Sequence, residues 1–159
     1  MRSRDGDYNF NSPNMEPNKV STDGVTDVAR DMNNMHNLYG VHEATENFNP
    51  DKWKKFLEFR LNFLKEELDE TMKAAQDGDP EEIVDGLIDL VVIAVGTCDL
   101  FKIDFNKAWK EVLRTNLTKE VGIKESRPNK LGLPDLIKPA GWVGPNHAGN
   151  HGKLQECFH

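Results

Sequence analysis

Hydrophobic positions recur at helical spacing in four successive segments of this chain. In the first, Val25, Val28, Met32, Met35 and Tyr39 fall three or four residues apart, Thr26 or Asp23 can cap the start, and Gly40 marks the stop. After a short loop, Asn49 and Pro50 form a cap and first-position pair. They open a long helix that ends at Gly78 and carries Trp53, Phe56, Leu57, Phe63, Leu64 and Ala74 on its stripe. Asp79, Pro80 and Glu82 repeat the start signal with capping-box spacing, and the third helix runs to about Phe101. Asp104 can cap a fourth, whose face carries Phe105, Ala108, Trp109, Val112 and Leu113 before Gly122 ends it. No alternating strand pattern competes, so the expected fold class is all-α, a four-helix bundle.

The flanks lack this periodicity. Residues 1–24, rich in Asn, Asp and Pro, read as a flexible lead to a helical body over 25–122. Residues 123–159 read as a loop-rich tail punctuated by Pro128, Pro134, Pro139 and Pro145 and by five glycines, draped over the bundle through Leu131, Leu133, Ile137 and Trp142. No internal repeat and no second domain are expected.

Composition narrows the function. A chain of 159 residues with 37% hydrophobic content is one soluble domain by length. With 20 basic against 27 acidic side chains, its net charge of −7 argues against nucleic acid or an anionic membrane as the main partner. A polyanionic small molecule stays open, because a metal ion inverts the local field. No apolar run approaches the roughly 18 residues that span a bilayer, and MRSRDGDYNF lacks a signal-peptide core, so the expected location is cytoplasmic. Cys98 in an apolar helix and Cys157 in the polar tail show neither metal spacing nor a disulfide framework, and both are expected reduced and inert.

The acidic residues are the unusual feature. In the second helix Glu67 falls inside the apolar stripe, between the directions of Phe63 and Arg60, and Glu70 sits at its edge. The third helix is apolar almost all round, through Ile83, Val84, Leu87, Ile88, Leu90, Val91, Val92, Ile93 and Val95, and must be covered on most sides. Its exceptions, Glu82, Asp85 and Asp89, share an arc of about 60°. Burying several ionised carboxylates without compensation costs several kcal/mol each, so a cation is expected. An oxygen-only ligand set suits Mg²⁺, Mn²⁺ or Ca²⁺ and not zinc or copper.

Each acid also has a plain structural reading. Glu82 can be the capping-box partner of Asp79, Glu66 points away from the stripe as a solvated charge, and Asp89 can pair with a neighbouring Lys. Three inward acids on facing helices, Glu67, Glu70 and Asp85, are harder to satisfy by local pairs. A di-iron carboxylate bundle needs Glu-x-x-His on two helices, and the helical body carries no such pair. Gly86 beside Asp85, and Gly96 on the same arc, each cost a helix about 1 kcal/mol relative to Ala and point to close approach of a neighbour or ligand.

The spacing Glu66-Glu67-x-x-Glu70, a gap of eleven residues, then Glu82-x-x-Asp85 resembles the E-E-x-x-E … E-x-x-D pattern of the MazG-like all-α nucleoside triphosphate pyrophosphohydrolases. The segments DVARDMNNMHNLYGV, DPEEIVDGLIDLVVIAVGT and FKIDFNKAWKEVLRTNLTK are similar to the branch common in bacteriophages and described as phosphoribosyl-ATP pyrophosphohydrolase-like. The resemblance covers about residues 25–140. It implies Mg²⁺-dependent cleavage, with Mn²⁺ as a substitute ion, of a nucleoside triphosphate, often a deoxynucleotide, into monophosphate and pyrophosphate, by a homodimer or dimer of dimers. By that carry-over Glu67, Glu70, Glu82 and Asp85 are the metal ligands. Asp89 stands where many relatives carry Tyr or another uncharged residue, and it recruits an extra ion or orients a bound water.

Charge then assigns roles to the remaining polar groups. Bound Mg²⁺ neutralises the triphosphate and lowers the pKa of a coordinated water, whose proton Glu67 or Glu70 can take as general base. Asn116 and Lys119 read as lying in the apolar stripe of the fourth helix, where they meet either the substrate phosphates or one of the acids in a salt bridge. Arg114 points to the opposite side, toward a neighbouring subunit. His36 lies on the apolar face of the first helix as a core histidine or, in the role the resemblance implies for that helix, beside the substrate base. The alternative function is a non-catalytic nucleotide-binding or assembly module on the same fold.

Overall fold

The computed structural model describes residues 26–127 and 130–158. Five α-helices, α1 Val28–Leu38, α2 Val41–Thr45, α3 Pro50–Asp77, α4 Pro80–Leu100 and α5 Phe105–Asn116, are followed by strands β1 Glu120–Gly122 and β2 Asp135–Ile137 and a 3₁₀ helix, Gly152–Phe158. The start signals of the three main helices act as read. Asn49 accepts from the Lys52 amide at 2.9 Å, Asp79 from that of Glu82 at 3.1 Å and Asp104 from that of Lys107 at 3.0 Å. Each side chain thereby satisfies a first-turn donor that the helix itself leaves orphaned. Gly78 ends α3 in the left-handed region at φ 68°.

Several expectations are corrected. Asp27, not Thr26, caps α1 by accepting from the Arg30 amide at 3.0 Å, while Asp23, Val25 and the N-terminal lead lie outside the described residues. The loop after Gly40 contains the short helix α2. Helix α5 stops at Asn116, six residues before Gly122, because its last carbonyls are taken. Trp142 Nε1 donates to the Thr115 carbonyl at 3.1 Å, and Thr118 Oγ1 donates to the same oxygen at 2.7 Å, so the acceptor that would extend the helix is occupied. Gly122 instead pairs with Asp135 in a two-stranded antiparallel sheet that the sequence did not reveal.

Helix α3 packs along α4, α1 covers a second side of α4, and the 3₁₀ helix lies on α3. The core at that end consists of Trp53, Leu100, Phe101 and Cys157, with Phe56 stacked on Phe101 at 5.6 Å between ring centres. Cys157, read as part of a polar tail, is therefore buried core. The tail does drape the bundle, but through Trp142, Leu154 and Cys157, whereas Leu131 and Leu133 are exposed. Asn150 clasps Asp104, accepting from its amide at 2.8 Å and donating to its carbonyl at 2.9 Å.

Helix α4 is not covered on most sides. Val84, Leu87, Ile88 and Val91 stand 45–62% exposed, and α5, which barely touches α4, shows Trp109 and Leu113, with Leu117 just past its end. Among the described residues no helix is long and apolar enough to cross a membrane.

Candidate functional site

The acids lie along the stretch where α3 packs on α4, although among the described residues the one group of three His, Cys, Asp or Glu side chains whose ligand atoms all lie within 4.8 Å of one another is His36, His42 and Asp99. A Cβ on Gly86 would overlap Thr71 Oγ1 and lie 3.1 Å from Thr71 Cβ, so the absence of a side chain lets the two helices close. Thr71 Oγ1 donates to the Glu67 carbonyl at 2.7 Å, which turns its side chain back along α3. Glu67 and Glu70 flank that point on α3, and Glu82, Asp85 and Asp89 flank it on α4.

The five carboxylates form a graded set. Glu67 is 2% exposed, Glu70, Glu82 and Asp89 are half-buried, and Asp85 is at the surface. One oxygen of each of two acids, Glu70 Oε2 and Glu82 Oε2, is withdrawn from solvent. Burial lifts the Asp89 carboxyl above the usual range, and the charges of Asp85 and Glu70 push it the same way. Glu66 is exposed, as its angular position implied. The donor set is oxygen only and reaches from a buried carboxylate to a solvent-facing one, which fits a hard divalent cation entering from water.

Farther along the α3–α4 packing, Gly96 again makes room. A Cβ there would sit 3.0 Å from Arg60 Nη2, 3.0 Å from Met32 Cε and 3.1 Å from His36 Cε1. Arg60 donates to the Ile93 carbonyl and to Thr97 Oγ1, both at 3.0 Å, and its burial lowers the guanidinium pKa. His36 is buried with Nδ1 2.7 Å from Asp99 Oδ2. Burial lowers its pKa, and its hydrogen bond to Asp99 offsets only part of that. The core-histidine reading of His36 therefore describes its contacts.

The cationic residues of the C-terminal half are placed differently from expectation. Lys119 lies beyond the end of α5, not within its stripe, and its ammonium rests 5.4 Å from the centre of the Trp142 ring, with Lys138 at 5.0 Å from the same ring. Asn116 is the last residue of α5 and half-buried. Arg114 is engaged within its own helix, with Nη2 2.8 Å from Glu111 Oε1. Among the described residues, none of the three pairs with an acid of the α3–α4 crossing. A cleft of about 500 Å³ beside α5, lined in part by Lys107, Lys110, Arg114 and His147, is likewise formed without those acids.

Sequence reading missed two sets of residues here. Arg60 and Thr71 carried a signal, since both lie on the inward stripe that holds Glu67. His42 and Asp99 carried none: they are 57 positions apart and meet only through the turn at Gly40.

The mostly helical architecture is that of the MazG-like all-α pyrophosphohydrolases. The sequence model of the family described as phosphoribosyl-ATP pyrophosphohydrolase matches residues 36–116, and the chain belongs to that family. The match runs from His36 to the end of α5 and takes in every acid of the crossing. Its members hydrolyse pyrophosphate bonds of nucleotides, and this chain is a pyrophosphohydrolase of that general kind. No curated protein matches the chain, and no solved structure does.

Proposed function

We propose that this protein is a Mg²⁺-dependent nucleoside triphosphate pyrophosphohydrolase, converting (d)NTP to (d)NMP and pyrophosphate in control of the nucleotide pool. What supports this reading is the placement of Glu67 and Glu70 on α3 and of Glu82, Asp85 and Asp89 on α4, on either side of the close Gly86–Thr71 contact. Glu67, Glu70, Glu82 and Asp85 hold the ion, with Asp89 at the edge of the set. Mg²⁺, or Mn²⁺ in its place, supplies charge neutralisation of the triphosphate and acidification of a bound water. Glu67 or Glu70 accepts the proton of the attacking water.

The cations that meet the substrate phosphates come from a second copy of the chain. Val84, Leu87, Ile88 and Val91 on α4, Trp109 and Leu113 on α5 and Leu117 just past its end are too apolar to remain in water, and a homodimer or dimer of dimers buries them. Such an assembly brings Asn116, Lys119 and Arg114 of one copy toward the acids of another, where they hold phosphate oxygens.

The test is a panel of ribo- and deoxyribonucleoside triphosphates with Mg²⁺, with products separated by chromatography. Monophosphate and pyrophosphate are expected, and EDTA abolishes turnover. Stepwise release of orthophosphate sinks the mechanism, and metal-dependent binding without turnover of any substrate favours the non-catalytic module.

A further inference from the structure

We propose that His36, His42 and Asp99 form a second metal site, separate from the acids, that takes a borderline divalent cation of the zinc class and clamps α1 and α2 onto α4. The ligand atoms His36 Nδ1, His42 Nε2 and Asp99 Oδ2 lie within 4.8 Å of one another. Both ring nitrogens are 2.7 Å from the same carboxylate oxygen. Two imidazoles and one carboxylate are a donor set for Zn²⁺, Co²⁺ or Ni²⁺, not for Mg²⁺. Asp99 is ten residues beyond Asp89, about 15 Å along α4 at 1.5 Å per residue, so the two sites do not share ligands.

The surroundings are those of a supported ligand set. Asn33 Nδ2 donates to Asp99 Oδ1 at 2.8 Å, which fixes the carboxylate plane and leaves Oδ2 for the ion. His36 is 4% exposed, and the side chains of His42 and Asp99 keep only 13% and 12% of their surface. Water thus reaches the site from one side and can complete the coordination. Ligand atoms around a tetrahedral zinc stand about 3.3 Å apart, given bonds near 2.0–2.1 Å, so each nitrogen must withdraw about 0.6 Å from Oδ2.

Protons occupy the same positions in the metal-free protein. Lys102 Nζ lies 2.8 Å from His42 Nδ1, and an ammonium only donates, so Nδ1 is the acceptor and Nε2 carries the proton toward Asp99. His36 likewise donates from Nδ1. When the cation binds, the His36 proton moves to Nε2 and the His42 proton to Nδ1; both rings stay neutral and no proton is released. Lys102 must then leave His42, since two donors cannot share one contact. It is exposed and sits in a left-handed turn at φ 58°, so it is free to swing into solvent. Lys102 is therefore the competitor of the metal.

The full-length protein is titrated with Zn²⁺ by calorimetry and by thermal shift in millimolar Mg²⁺, which occupies the acids, and with Co²⁺ by visible absorption. One Zn²⁺ per chain at micromolar concentration is expected, with a rise in Tm and a Co²⁺ spectrum of nitrogen ligation. Asp99→Asn and His42→Ala should each weaken Zn²⁺ by more than about tenfold. Lys102→Ala should tighten it by up to about tenfold, the scale of one hydrogen bond to His42 that the ion no longer has to displace. Each shift is read as the difference with and without Zn²⁺ within one variant, so a change in basal stability does not enter. Absence of Zn²⁺ binding in both wild type and Lys102→Ala overturns the proposal, as does binding that is unchanged in Asp99→Asn and His42→Ala.

Discussion

Gly86 on α4 faces the side chain of Thr71 on α3 with no room for a Cβ between them. The contact sits amid Glu67, Glu70, Glu82, Asp85 and Asp89, so the spacing of the two helices there sets the spacing of the acids. Rotation of Thr71 relieves the crowding only in part, because its Cβ would still lie 3.1 Å from the added atom.

Gly86→Ala should therefore destabilise the protein although Ala is the better helix former. Overpacking costs about 1–3 kcal/mol, against about 1 kcal/mol gained in propensity. Turnover should fall further than stability, because the acids separate. The double variant Gly86→Ala, Thr71→Ala should recover part of both losses, a coupling that thermal melts and a mutant cycle measure. Full additivity would mean that the contact is not what holds the acids together.

Local chemistry made much of this fold readable. Asn49, Asp79 and Asp104 each announce a helix by a side-chain cap, and Gly78 announces a stop by its positive φ; these are interactions within a few residues and leave a sequence signature. The inward position of Glu67 followed from helical period alone, and Gly86 and Gly96 were flagged as points of close approach, which they are. What was not readable depends on distant partners. The end of α5 at Asn116 is decided by Trp142, 27 residues from the carbonyl it occupies, and burial of Cys157 is decided by Trp53 and Phe101. The placement of Lys119 on α5 failed for that reason: its angular position was computed for a helix that Trp142 had already ended.

The exposed apolar faces of α4 and α5 predict association. Light scattering after size exclusion should report a dimer or tetramer at micromolar concentration. Leu87→Asp and Ile88→Asp, at positions 52% and 59% exposed in the single chain, should yield monomers with native helix content. Because these side chains touch little within the chain, the folded monomer should survive. A wild-type monomer that is fully active would remove the partner copy from the site.

The tail should detach from α5 in acid. Glu111 is held down to about 2, first by its hydrogen bond from Arg114 and then by the Asn146 amide, which donates to Oε1 at 3.1 Å. A folded pKa below the unfolded 4.5 means that the contact contributes its full stabilisation above about pH 4.5 and loses it as pH falls toward 2. Hydrogen exchange at the Asn146 amide should accelerate through that window, beyond its intrinsic pH dependence. Glu111→Gln should show the faster exchange already at pH 7, and equal protection in the two proteins would refute the anchor.

Charge crowding at the crossing separates a metal site from a structural one. The Asp89 carboxyl is lifted by burial and then by Asp85 and Glu70, so its ionised form opposes folding. That penalty is fully present above the folded pKa and vanishes below the unfolded value of 3.8. In EDTA at pH 7, Asp89→Asn should accordingly melt above wild type, with the difference closing as pH approaches 4, and Asp85→Asn should melt at or above wild type. Mg²⁺ should raise the wild-type Tm and raise that of Asp85→Asn less, because a ligand is gone. Turnover by Asp85→Asn and by Glu67→Gln should fall by at least about a hundredfold, the scale of losing a positioned catalytic group. If the acids were instead partners in buried ion pairs, each neutralisation would strand a cation and cost about 3–5 kcal/mol. A large fall of Tm in EDTA for both Asp85→Asn and Asp89→Asn would therefore overturn the metal reading, while a rise that Mg²⁺ fails to extend in the wild type would leave the acids without their ion.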